Sequence, residues 1–131
     1  MPLLNTSILD ETSAKAAESS RLRMNSNLHE SFEDVVQRMF NALEPGTIVP
    51  IARHPYSSET LIMLRGKLRV LIYDENKNVV EDVIIAPDTE HFGYHIPKGT
   101  WHKVESLEHG TVCFETREGP YQPVAACDVL N

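Results

Sequence analysis

The sequence predicts an all-β barrel or jelly roll preceded by one short helix, and three observations lead there. From about residue 34, runs of four to eight residues rich in Val, Ile, Leu, Phe and Tyr alternate with clusters of Pro, Gly, Asn and Asp. About eight such runs follow one another, as in a sandwich, barrel or jelly roll. The one stretch rich in helix formers, Glu11 to Glu18, precedes them all.

Asp10 or Ser7 is placed to cap that helix, which is short enough to need the body of the domain for support. Residues 1–30 are expected as a helix and arm packed on the barrel, and residues 31–131 as the barrel. The 131-residue length suits one domain overall.

The first strand is expected over Val35 to Leu43, closed by Glu44-Pro45-Gly46. Thr47 to His54 follows, then a turn at Pro55-Tyr56-Ser57-Ser58. Glu59 to Leu64 ends near Gly66, and Lys67 to Tyr73 comes next. Asp74 to Asn78 reads as a hairpin loop into Val79 to Ile85. After a looser stretch come Tyr94 to Pro97, a turn at Lys98-Gly99, Trp101 to Ser106, a turn at Glu108-His109-Gly110, and Thr111 to Arg117. Gly119, Pro120 and Pro123 mark an irregular tail. Glu59 to Leu64 is apolar at nearly every position after its first, so both its faces are expected to be covered. The second cover would be the N-terminal segment or another subunit, and a homodimer is expected.

The net charge of −7 and the absence of a basic stripe argue against a nucleic-acid partner. No apolar run approaches the ~18 residues of a membrane span, and the first residues have no secretion-signal pattern. Cys113 and Cys127 are too few for a disulfide scaffold, so a reduced, cytoplasmic setting is the expectation. Cys113, at strand spacing, reads as a small core residue.

Four polar residues interrupt the apolar strands. His54 ends one strand and Glu59 begins the next across a tight turn, which brings both to one end of a barrel. His102 shares a strand face with Val104, while Trp101, Lys103 and Glu105 take the other. His95 lies on the preceding strand. Two imidazoles and a carboxylate suit one divalent metal ion such as Zn, Fe, Mn, Ni or Co. Three protein ligands leave open positions, as catalytic sites do.

The spacing carries more. Gly46, five residues, Ala52-Arg53-His54, four residues, Glu59, six residues and Gly66 resemble the first cupin motif. Pro97-Lys98-Gly99-Thr100-Trp101-His102 resembles the second. The segments from Arg21 to His29, Asn41 to Thr47, Ile96 to His102 and Glu118 to Tyr121 further resemble the WbuC cupins. That family is associated with O-antigen or capsule polysaccharide loci. The resemblance implies a single-domain cupin, a double-stranded β-helix, with a metal on His54, Glu59 and His102. It departs at Ala52, where cupins with the full ligand set place a histidine. Three readings follow: a metal held by three protein ligands, a fourth ligand supplied by His95, or a lost metal.

Asn25, Asn27 and His29 fall at alternating positions and read as a polar wall of the pocket or as a turn-rich connector. Arg38 lies inside an apolar run and is expected to line the cavity or pair with a carboxylate. Arg21 and Arg23 suit an anionic ligand or ordinary surface pairing. Tyr121 caps the barrel mouth or packs the tail. Trp101 reads as packing, and His91 and His109 as solvated loop residues. The expected function is a metal-dependent enzyme of isomerase or epimerase type acting on a small polar molecule, such as a sugar or sugar nucleotide. His95 or His29 would then be the general base. An iron-dependent dioxygenase and a non-catalytic sugar-binding or regulatory module are the alternatives.

Overall fold

The computed structural model describes residues 3–130. Helix α1 spans Thr6–Glu18, and its cap is Asn5, whose side-chain oxygen accepts from the Ser7 N–H at 3.0 Å. The expected caps, Ser7 and Asp10, lie inside the helix, because it already starts at Thr6 with Asn5 as its cap. Ala16 is wholly buried and packs with Phe40, Ala42 and Val112, flanked by Ile8, Leu9, Met24 and Phe114.

Ten strands follow among the described residues: β1 Arg23–Asn27, β2 Val36–Leu43, β3 Ile51–Ala52, β4 Glu59–Arg65, β5 Leu68–Tyr73, β6 Val79–Ile85, β7 Gly93–Ile96, β8 Trp101–Ser106, β9 Thr111–Glu118 and β10 Val129–Leu130. They form two antiparallel five-stranded sheets, in the orders β1-β2-β9-β4-β7 and β10-β3-β8-β5-β6. Strand β1 lies in the segment expected as an arm. The tail also ends in order: a 3-10 turn at Ala126–Asp128 leads into β10, which pairs with β3. Asp128 there binds Arg53 at 2.8 Å, and the Arg53 guanidinium lies 4.5 Å over the Trp101 ring.

Period-two alternation sorts the first sheet. Met39, Asn41 and Leu43 of β2 face the second sheet, while Phe40 and Ala42 face α1. Between the sheets, Leu61, Met63, Leu68, Val70, Ile72, Ile85, Ile96 and Cys113 form the core at one end. Burying each large aliphatic side chain there contributes about 1.5–3 kcal/mol. The expectation that both faces of β4 are covered holds on one face only within this chain. Ile62 and Leu64 stay 37% and 38% exposed, because α1 packs over β1, β2 and β9 instead.

Gly66 makes the turn from β4 to β5 with φ +76°, and a Cβ there would lie 2.7 Å from Thr111 Cα. Both its handedness and its closeness to β9 require glycine.

Candidate metal centre

His54 stands just past β3, and its carbonyl accepts the Gly99 N–H at 3.0 Å, which joins the two turns that carry the cluster. Glu59 opens β4 and His102 is the second residue of β8, both buried. His54 Nε2 lies 2.9 Å and His102 Nε2 3.7 Å from Glu59 Oε1. The three ligating atoms all lie within 4.8 Å of one another. His102 Nδ1 sits 2.8 Å from the Thr100 carbonyl. A carbonyl only accepts, so Nδ1 carries the hydrogen and the Nε2 lone pair faces Glu59.

Burial resists the charge of Glu59, but close contact with His54 and the charges of Arg117 and His102 outweigh it and hold its carboxyl down at about 2. Burial also pushes the His102 imidazole toward its neutral form, against the pull of Glu59. Glu59 Oε1 is buried and has no well-directed hydrogen bond. A deprotonated carboxylate and a neutral imidazole with its lone pair inward are what a divalent metal accepts from a protein.

Behind Glu59 stands a layer that the sequence reading missed. Arg117 on β9 lies 2.9 Å from Glu59 Oε1 and 2.8 Å from Glu115 Oε2. Glu115 Oε1 accepts from Asn41 Nδ2 at 2.6 Å. Burial and the Glu59 charge raise the Glu115 carboxyl above its ordinary range. The available signal was the alternation Cys113, Glu115, Arg117 where the apolar run Val112 to Phe114 gives way to charge.

The cluster lies on a cavity of about 660 Å³ between the sheets. Its walls include Ala52, His54, Glu59 and His102 at one side and Asn25, Asn27, His29 and Tyr121 at another. Its floor is the apolar set Leu43, Leu61, Leu68, Val104 and Cys113. His29 is 8% exposed; its Nδ1 lies 3.0–3.1 Å from the Arg38 backbone, and its Nε2 is buried without a partner. Tyr121 stacks on Phe32 with ring centroids 5.1 Å apart.

Two expected pocket residues lie elsewhere. His95 pairs with Thr60 in the β4–β7 register, so it shares the outer face with Thr60 and hydrogen-bonds its hydroxyl at 3.0 Å. It is exposed, which corrects its expected place as fourth ligand or general base. Arg38 is exposed because alternation along β2 turns Gln37 and Met39 inward and Arg38 outward; only its backbone touches His29. His109 is exposed to solvent as expected, and its ring also lies 2.7 Å from buried Glu44.

Solved structures resemble this fold at low identity. The cupin domain of Cnp3 from Schizosaccharomyces pombe matches with TM-score 0.59 and 12% identity over 73% of this chain and 64% of that one. The capsular polysaccharide assembling protein CapF from Staphylococcus aureus matches with TM-score 0.67 and 19% identity over 80% of this chain and 28% of that one. A protein from Acidithiobacillus ferrooxidans, provisionally described as a sugar phosphate isomerase, matches with TM-score 0.59 and 20% identity over 74% and 59%. The chain thus spans less than two thirds of each, and the likeness establishes the cupin fold. No curated protein matches the sequence. The family model of the domain of unknown function DUF6016 matches residues 4–85, from α1 through β6 and including His54 and Glu59, and the chain belongs to that family.

Proposed function

We propose that this cupin is a metal-dependent enzyme of isomerase or epimerase type acting on a small polar molecule, such as a sugar or sugar nucleotide in surface-polysaccharide metabolism. The convergence of His54, Glu59 and His102 on one buried point carries the reading. The motifs shared with WbuC cupins, and the likeness to a capsular polysaccharide assembling protein and to a described sugar phosphate isomerase, support it. A bound divalent metal would supply Lewis-acid polarisation of a hydroxyl or carbonyl.

The chain's own residues do the rest. Thr100 orients His102, and Arg117 holds Glu59 ionised and in place. His29 is the imidazole on the cavity wall outside the cluster, and its unpartnered Nε2 is the atom to take or give a proton. The apolar floor limits water beneath a ligand. The test is elemental analysis of protein purified without a polyhistidine tag, alongside His102→Ala. About one transition-metal ion per chain, lost in the variant, is expected.

Ala52 favours a second reading, a non-catalytic sugar-binding module, since a methyl group occupies a position on the cavity wall where a ligand would sit. Protein that takes up no metal yet binds a sugar would select it. The exposed apolar residues Ile62 and Leu64 support a homodimer in which a second copy covers the outer face of β4.

A further inference from the structure

The cavity wall formed by β1 carries side chains that the protein itself leaves unused. Arg23, Asn25 and Asn27 alternate along the strand and line the cavity. Among the described residues, none of the three side chains has a hydrogen-bond or ion-pair partner, in contrast to Arg117, which is engaged by both Glu59 and Glu115. Next along the wall is His29, nine-tenths buried, with its Nε2 also unpartnered.

Charge points the same way. The chain carries a net −7, yet the cavity lining sets three guanidiniums, Arg21, Arg23 and Arg117, against two carboxylates, Glu59 and Glu115. Burial and the nearby charge of Arg21 disfavour the Arg23 cation and outweigh the pull of Glu115 and Glu59. A half-buried guanidinium with no carboxylate in direct contact costs stability unless an anion arrives to meet it. Two neutral amides in line with it and the volume of about 660 Å³ describe an occupant with hydroxyls as well as charge.

We propose that the cavity binds a small polyhydroxylated anion, a sugar acid or a sugar phosphate, with its charged group on Arg23 and its hydroxyls on Asn25, Asn27 and His29. This rests on the reading above only for the sugar-like body of the ligand. The anion contact itself does not depend on the metal.

The experiment is isothermal titration of the full chain with glucuronate, glucose 6-phosphate and glucose. At least one anion should bind at least about ten-fold more tightly than glucose, as a charge-assisted contact provides. The tighter of the two identifies the charged group as carboxylate or phosphate. Arg23→Gln should weaken that anion about ten-fold or more, keep the wild-type metal content and leave the unliganded melting temperature unchanged or higher. Arg23→Lys should retain part of the affinity. The inference is overturned if neither anion binds, if glucose binds as well, or if Arg23→Gln binds undiminished. His102→Ala separates the two readings. Loss of metal with Arg23-dependent anion binding intact supports the anion site alone. Loss of metal in that variant, together with undiminished binding by Arg23→Gln, leaves the metal reading and ends this one.

Discussion

Ala52 of β3 and His102 of β8 are direct partners across the second sheet, and both face the cavity. The position where a cupin with the full set carries its first histidine therefore lies beside an existing candidate ligand. An imidazole at 52 would replace a water on the metal with little new ordering of the chain. Ala52→His is expected to raise metal affinity ~10-fold, in line with the sensitivity of metal sites to their surroundings. His102→Ala should lower it by more, and His95→Ala should leave it unchanged, since His95 bonds Thr60 on the outer face. Metal titration of the four proteins in one buffer and pH checks all three outcomes.

Among the described residues, Arg117 is the cation in contact with both Glu59 and Glu115. Its replacement by glutamine leaves two buried carboxylates facing each other, at a cost of about 3 kcal/mol. A divalent metal on Glu59 would offset part of that loss. Urea unfolding of Arg117→Gln with and without added zinc should show recovery; absence of any recovery would place the metal away from Glu59.

Glu118 ties together the two turns that carry the cluster. One oxygen accepts from Ser58 Oγ at 2.7 Å and the other meets Lys98 Nζ at 2.9 Å. The Ser58 hydrogen bond first, then Lys98, hold its carboxyl down at about 2. The folded value lies below the unfolded one of ~4.3, so its contribution is complete above that pH and disappears as the pH falls through about 2. Glu118→Gln should therefore melt slightly below wild type at neutral pH and together with it near pH 2. The difference is small because the group is exposed.

Gly66→Ala should destabilise the fold by roughly 2 kcal/mol or more, from the left-handed backbone and from overlap with β9. Urea unfolding measures it, and a change below about 0.5 kcal/mol would contradict the close approach to Thr111.

Light scattering should give twice the 14.8 kDa chain mass, and the double variant Ile62→Glu, Leu64→Lys should give the single-chain value. A wild-type monomer at micromolar concentration would end the homodimer proposal.

Strands with strong local signals were legible. Val79–Ile85 and Trp101–Ser106 have the ends that the sequence suggests. Strand β1 was not, because Arg-Met-Asn-Ser-Asn offers almost no apolar alternation; its polar side chains face a cavity rather than a core. The run at 47–54 shrinks to Ile51–Ala52, since Pro50 has no N–H for a ladder. His54, Glu59 and His102 were readable because two short motifs fix them within local turns. The contact of Glu59 with Arg117 was not, since it spans 58 positions and depends on which strands become neighbours. His95 was misplaced for the same reason: only the β4–β7 register decides which face it takes.

Strand β9 serves two separate neighbourhoods by turns. Cys113, Glu115 and Arg117 look into the cavity, while Val112 and Phe114 look toward the helix. A substitution on one side leaves the other side's neighbours in place. The cavity-facing and helix-facing positions of β9 can therefore change independently of each other, so a change in the cavity's lining on this strand need not repack the helix.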